Sequence, residues 1–361
     1  MKELLKRYLK SPPKMGILIL FGVTVLLGVG YFVATTWIRP LGPALELPTS
    51  TPRPTETSPP TSTPEPGKTA VPTITPTPTI QPVCGGPNSM TILISGVARE
   101  DYEYGLADAI RVARVDFQTQ KVTVLAIPRG LWVEIPGIED ETGVTHGLLN
   151  QAYFYGTRGM GYVEGAANGS GSLALTLQKN FGLRVDHYLA VNLFAFRNIV
   201  DGIGGVRVCF PEDVFIKRFG EPKLYREAGC YQLTGEEAEK IARARIGIGG
   251  YGRMRNQTLI LRAVAGKMLA PSTLTRLPDI VQQLIDYTMT DLSPSQISKL
   301  ICLAGKIDPQ EDITFAQVPD DILVERKTYF APLKKEIFNM VEKEEGALEE
   351  LFQLFQAGEY P

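Results

Sequence analysis

Arg243, Arg245, Arg253 and Arg255 fall within 13 residues, and Arg129 closes an apolar run in the sequence Ile127-Pro128-Arg129-Gly130. Guanidinium groups are planar forks that match phosphate oxygens, and forks brought from separate elements can clamp a diphosphate. A helix starting near Arg253 adds the positive end of its dipole to such a clamp. Spacing alone leaves a second reading open, a solvated basic face with no ligand. Triad-type nucleophilic catalysis finds no support. The two histidines are His146 and His187. His187 sits in a strand-like run and reads as structural, while His146 lies in a loop-like stretch with no evident partner.

The elements that must position these arginines alternate between strand and helix. Met90–Ser95 reads as a buried strand, and Ala109–Asp116 with Lys121–Ile127 as a hairpin around 117–120. Ser172–Phe181 reads as a helix, His187–Leu193 as a strand, Phe194–Asp201 as a helix and Gly205–Phe210 as a strand, with Gly202, Gly204 and Gly205 marking the turn before it. Thr234 followed by Glu237 is a capping-box pattern that opens a helix to about Arg243. Gly247, Gly249, Gly250 and Gly252 make a flexible stretch, and a second helix runs from near Arg253 through Leu259, Ile260, Ala263 and Met268. Ser293, Pro294 and Gln296 open another helix, and Ile313–Val318 is a late strand. This alternation predicts a layered α/β domain over 88–340, with its core at 90–268 and a tail or helix over 341–361.

The N-terminal part has a different chemistry. Residues 1–14 carry Lys2, Lys6, Arg7, Lys10 and Lys14 against one acid, Glu3. Residues 15–37 contain no charge, and about 20 apolar residues suffice for a helix to cross a bilayer. Basic residues before the span place the N-terminus in the cytoplasm and the rest of the chain outside, on a single-pass cell-membrane anchor. Residues 38–87 are rich in Pro, Thr and Ser and read as a disordered tether. In extended polyproline II form it would reach on the order of 100 Å. The formal net charge of −2 offers no overall field for nucleic acid.

Cys84, Cys209, Cys230 and Cys302 all follow the span, in what the topology makes an oxidising space. Three pairings are possible. Cys209–Cys230 is favoured, because the residues between them read as an excursion between a strand and a helix. Cys84–Cys302 would then clip the end of the tether to the C-terminal region. Free buried thiols remain the alternative. A zinc site has neither a CxxC pair nor clustered histidines to support it.

The sequence from Met90 to Met268 resembles the LytR-CpsA-Psr family, also called the cell-envelope-related transcriptional attenuator domain. The resemblance is carried in order by ILISGVA, LADAIRVARVDFQTQKVTVLAIPRGLWVEIPG, LLNQAYFYG, VDHYLAVNLFAFRNIVDGIGGVRVCFPEDV and LTGEEAEKIARARIGIGGYGRMRNQ. It implies an α-β-α fold with a central mixed sheet. It also implies a phosphotransferase that moves a glycopolymer from a polyprenyl-pyrophosphate lipid to peptidoglycan or another envelope acceptor. A relative that binds polyprenyl diphosphate or wall glycan without turnover is the alternative.

By this resemblance Arg129, Arg243, Arg245 and Arg253 would hold the pyrophosphate, with Gln257 at the family's glutamine. Arg129, Arg253 and Asp108 would be catalytic, and Asp108 would ligate Mg²⁺. Departures bear on that set. The family's other metal-binding aspartate is Ala98 here, the acid after Ile-Pro-Arg is Gly130, and the Asp of Asp-x-x-Arg is Gly250. Asn256 replaces the family's final arginine, and Leu106 the arginine of Arg-Ser-Asp. Glu100 or Asp101 would have to supply a second carboxylate beside Asp108.

Overall fold

Runs with period two and dense β-branched residues build the centre of the molecule. β1 (Ser89–Val97), β2 (Ala107–Asp116) and β3 (Lys121–Ile127) pair antiparallel in sequence order, as the hairpin reading requires. The strand His187–Val191 joins the free edge of β1 in parallel, and Thr288–Thr290 extends that edge antiparallel. Ile313–Gln317 adds in parallel to β3, completing a six-stranded mixed sheet. This computed structural model describes residues 35–48, 81–163, 165, 167–218, 221–244 and 249–360.

The sheet has different partners on its two faces. Leu93, Val112, Leu125 and Ile127 meet Leu173, Leu177 and Phe181 of the helix Asn168–Phe181, and Phe352 and Phe355 of the helix Ala347–Ala357. The segment 341–361 therefore contributes a helix to the main core. On the opposite face lie the helices Leu193–Gly202, Gly235–Ala242 and Gly249–Leu269, held by Val200, Val208, Ile241 and Ile260. Between those helices and the sheet remains a cavity of about 430 Å³. The layering is α-β-α around a mixed sheet.

Local signals set several boundaries. Thr234 and Glu237 form the expected capping box, with Glu237 accepting from the Thr234 backbone N–H at 3.0 Å. Ser293 and Gln296 do the same for the helix Pro294–Ala304. The strand from His187 stops at Val191 because Asn192 caps a helix: its Oδ1 accepts from Ala195 N–H at 2.7 Å. The flexible stretch expected over Gly247 to Gly252 is corrected in its second half, where one helix runs from Gly249 to Leu269. Its partners supply the stability that glycine propensity withholds: Arg253, Met254 and Ile260 are all buried.

Both expected disulfides are present. Cys209 and Cys230 face each other on the paired strands Val206–Phe210 and Gly229–Leu233, and the hairpin Val214–Arg218/Glu221–Arg226 is the excursion between them. Cys84–Cys302 ties the entry to β1 to the helix Pro294–Ala304.

The N-terminal expectations fall mostly outside the described residues. That holds for the basic tail 1–14, the span 15–37 apart from its last three residues, and the tether between 49 and 80. Among the described residues no helix is long and apolar enough to cross a membrane. Residues 41–48, expected within the tether, lie on the domain. Leu41 N–H donates to Leu292 O at 3.2 Å, Tyr188 Oη donates to Pro43 O at 3.1 Å, and Gln178 Nε2 donates to Pro48 O at 3.0 Å. Leu45 and Leu47 pack against the main core. These two leucines, set between Pro43 and Pro48, give this stretch apolar area that the Pro/Thr-rich composition average conceals.

Candidate functional site

Strand alternation places Ile94 and Gly96 of β1, Ala109 and Arg111 of β2, and Leu189 and Val191 of the adjacent strand on one face, where they floor the cavity. Gly96 is opposite Ala109, and a Cβ at Gly96 would stand 2.9 Å from the Ala109 Cβ. The pair keeps the floor low. Phe196, Ile199, Ile260, Leu261 and Val264 form the roof. The cavity wall is thus overwhelmingly apolar, with charged groups confined to a few positions.

Two of those charges, Asp108 and Arg253, meet at the end where β2 begins. Asp108 accepts from Arg129 Nη1 in a short ion pair and from Asn150 Nδ2 at 3.2 Å, both on Oδ1. Arg253 Nη1 stands 4.0 Å from Asp108 Oδ2. Arg129 reaches the point from the end of β3, Arg253 from near the start of the helix Gly249–Leu269, and Asn150 from the helix Leu149–Tyr155. A backbone bond from Asn150 N–H to Arg129 O at 3.1 Å joins two of these arms. Arg253 is buried, whereas Asp108 and Arg129 keep part of their side chains in solvent. This is a mouth where anionic oxygen can meet preorganised guanidinium groups over an apolar chamber.

The other expected residues divide. Gln257 lines the cavity and donates to Ala242 O at 3.1 Å. Arg243 also lines the cavity but is exposed and paired with Glu239 at 2.8 Å. Glu239 holds Arg197 at 2.5 Å as well, and Arg197 holds Glu100 at 2.5 Å. The hydrogen bonds that Arg197 donates, to Glu100 first and then to Glu239, raise its pKa. Arg245 lies outside the described residues. Arg255 is away from the cavity and forms a surface pair with Glu212 at 2.6 Å.

The metal expectation rests on carboxylates. Glu100 is bound to Arg197. Asp101 accepts from Glu103 N–H at 3.0 Å, which pulls its pKa down, and from Arg99. Each is engaged by an arginine, and among the described residues no group of three or more His, Cys, Asp or Glu could hold a metal ion. Ala98 lines the cavity without a donor atom in its side chain. On Asp108, Oδ1 already accepts from a guanidinium and an amide, and Oδ2 stands 4.0 Å from Arg253 Nη1. The described donor set therefore does not fit a two-carboxylate Mg²⁺ site.

Two polar residues here went unassigned in the sequence reading. Asn150 stands in the LLNQAY segment, and its type gave no hint of a partner. Arg111 stands in β2 between Ala109 and Ala113 on the cavity-facing register. A charge on the small-residue side of an otherwise apolar strand was the available signal. His187 behaves as expected of a structural group, whereas His146, expected in a loop without a partner, begins the short strand His146–Leu148 and contacts Thr145 Oγ1 at 2.8 Å. His187 is held between Asp291 at 3.3 Å and Gln296 at 2.7 Å, and His146 stacks on Trp132.

A mixed sheet carrying an apolar chamber with arginines at its mouth suits a ligand that has an anionic head and an apolar chain. The chain belongs to the LytR_cpsA_psr family, whose pattern matches residues 70–346. It is 27% identical over 210 residues to TagU of Bacillus cereus, a polyisoprenyl-teichoic acid–peptidoglycan teichoic acid transferase, covering 58% of this chain and 62% of that protein. The chain thus spans less than two thirds of that relative's length. The crystal structure of TagV of B. subtilis aligns with a TM-score of 0.58 at 21% identity, covering 75% of this chain and 97% of that one. A structure of TagT bound to LIIa-WTA aligns with a TM-score of 0.53 at 19% identity, covering 77% of this chain and 95% of that one. At these identities the likeness is one of fold.

Proposed function

We propose that this chain takes a polyprenyl-diphosphate-linked glycopolymer and passes the glycopolymer, with its phosphate, to a hydroxyl of peptidoglycan or another envelope acceptor. The observation that carries the reading is the meeting of Arg129, Arg253 and Asn150 at Asp108, over an apolar cavity. The diphosphate sits at the mouth, where Arg129 and Arg253 exchange carboxylate for phosphate oxygens. The polyprenyl chain enters the cavity. Arg243, Arg245 and Gln257 complete the pyrophosphate surroundings. A membrane anchor over 15–37, with its N-terminus in the cytoplasm, keeps the domain at the outer side of the cytoplasmic membrane where such a lipid resides.

In the transfer step the acceptor oxygen bonds to the phosphorus that bears the glycan. The bond from that phosphorus to the bridging oxygen breaks, and the bridging oxygen leaves on the lipid phosphate with its electron pair. The hydroxyl proton passes to solvent at the open mouth. Such a step depends chiefly on positioning and charge neutralisation, which guanidinium groups supply. Asp108 fixes the two arginines before substrate arrives. Mg²⁺, if bound there, would add charge neutralisation, but the present carboxylates do not fit it and no step is assigned to it.

The engagement of Asp108, together with Glu100 and Asp101 turned to other partners, favours a second reading in which the lipid is bound without turnover. One experiment separates the two. Full-length protein in detergent micelles is given a polyprenyl-diphosphate oligosaccharide and peptidoglycan, and both lipid retention and release of polyprenyl phosphate are measured. Release that is lost in Arg129→Ala and Arg253→Ala supports the transferase. Retention without release supports the binder, and absence of both removes the proposal.

A further inference from the structure

Arg111 is only 3% exposed and lies on the cavity floor, opposite Ile94 of β1 and Ala126 of β3. Its one hydrogen bond among the described residues runs from Nη2 to Met254 O, at a long 3.3 Å. That carbonyl already accepts from Thr258 Oγ1 at 2.9 Å. The Nε of Arg111 is buried without a partner among the described residues.

The acids that line the same cavity are taken. Asp108 is held by Arg129, Arg253 and Asn150, and Glu239 by Arg197 and Arg243. Burial brings the Arg111 pKa down to about 10, so the group stays cationic at neutral pH. A buried cation with one shared carbonyl is costly to maintain, and chains rarely keep one without a counter-ion. Arg111 thus brings to the floor of the cavity a buried cation with no carboxylate among its hydrogen-bond partners in the described residues, and that charge suits an anionic head.

Position decides which part of the head Arg111 meets. Arg111 is three residues beyond Asp108 along β2, about 10 Å of strand deeper than the mouth. Its guanidinium reaches back to the residue after Arg253, so it borders the mouth from the chamber side. A ligand that enters with its chain inward presents its lipid-side phosphate there and its outer phosphate to Arg129.

We propose that Arg111 is the contact for the lipid-linked phosphate, and that it neutralises the charge left on that phosphate when the bridging oxygen departs. The inference rests on the transferase site described above. It assigns a group for the leaving half of the diphosphate, whereas Arg129 serves the half that is transferred.

The test uses full-length protein in detergent micelles with three probes: geranylgeranyl diphosphate, geranylgeranyl monophosphate and geranylgeraniol. Arg111→Met is expected to weaken both phosphate probes at least about tenfold while leaving the alcohol within about threefold. Arg129→Ala is expected to weaken the diphosphate but leave the monophosphate within about threefold. Arg111→Lys keeps the charge and is expected to recover part of the monophosphate affinity, which separates a ligand contact from a folding defect. Monophosphate affinity unchanged in Arg111→Met overturns the inference while leaving the mouth site standing. Failure of the unmodified protein to bind either phosphate probe removes the mouth site and this inference together.

Discussion

Arg253 Nη1 and Asp108 Oδ2 meet 4.0 Å apart across the cavity mouth, one from near the start of a long helix and the other from the start of a strand. Arg129 occupies the other carboxylate oxygen. Under the proposed function the carboxylate is an internal stand-in for phosphate, ordering both guanidinium groups before ligand arrives.

Asp108→Asn removes that stand-in. Two cations are then left facing each other, so the ligand-free protein should lose about 1–3 kcal/mol of stability, the scale of a charged hydrogen bond. Geranylgeranyl diphosphate should bind the variant tighter, because no carboxylate competes for Arg129. Thermal melts with and without the diphosphate read both effects. An unchanged melting temperature together with unchanged ligand stabilisation would show that Asp108 does not order the mouth.

Ala109→Phe should fill the chamber without touching the mouth. Ala109 lies on the floor beside Gly96, where the space above is the cavity itself. Affinity for a C20 prenyl diphosphate should fall at least about tenfold, and that for inorganic diphosphate should change by less than about threefold. Equal losses for both probes would place the apolar chain elsewhere.

Chelation should matter little to binding. Because Glu100 and Asp101 serve Arg197 and Arg99, excess EDTA should leave prenyl-diphosphate affinity within about threefold. A loss of binding that Mg²⁺ restores would mean that the metal rests on Asp108 and the substrate alone.

Alkaline pH should unfold the domain through its buried tyrosines. Burial pushes Tyr102, Tyr188 and Tyr251 up to about 12, and Tyr153 further. In the unfolded chain these phenols ionise near 10, so their contribution is complete below about pH 10 and is lost as pH rises toward 12. Tyr102 Oη also donates to Tyr287 O at 2.8 Å and accepts from Asn192 N–H at 3.1 Å, tying the loop after β1 to the sheet edge. Urea midpoints measured from about pH 8 to pH 11 should fall above pH 10, less steeply in Tyr102→Phe. A flat profile would contradict the burial of these hydroxyls.

Much of the frame was legible because its signals are local. The period-two runs of β1 to β3, the Thr234 and Ser293 caps and the pairing of Cys209 with Cys230 each depend on neighbours in sequence or one hairpin away. Type and spacing raised Arg129 and Arg253 only as candidates, with a solvated basic face left open; the resemblance singled them out, and the structure brings both to Asp108. Arg255 has the same type and spacing yet faces Glu212, because two residues along a helix turn a side chain by more than half a circle. Arg111 was hidden for the opposite reason: its meaning comes from the roof helix 143 residues away, which no local pattern encodes. The glycines before Arg253 misled in part, since burial of the following turn outweighs their weak helical preference.

Leu41, Pro43 and Pro48 are already bonded to the domain, and the chain rejoins it at Val83 through a bond to Phe117 O. Residues 49–80 thus depart from and come back to one body, and their contour length sets no spacing between that body and the lipid bilayer. Under the proposed anchor, the stand-off is governed by the few residues before Leu41, on the order of 20 Å when fully drawn out from residue 35. Since Leu41 is bonded to Leu292, itself part of the chamber wall, that end of the chamber would lie close above the leaflet.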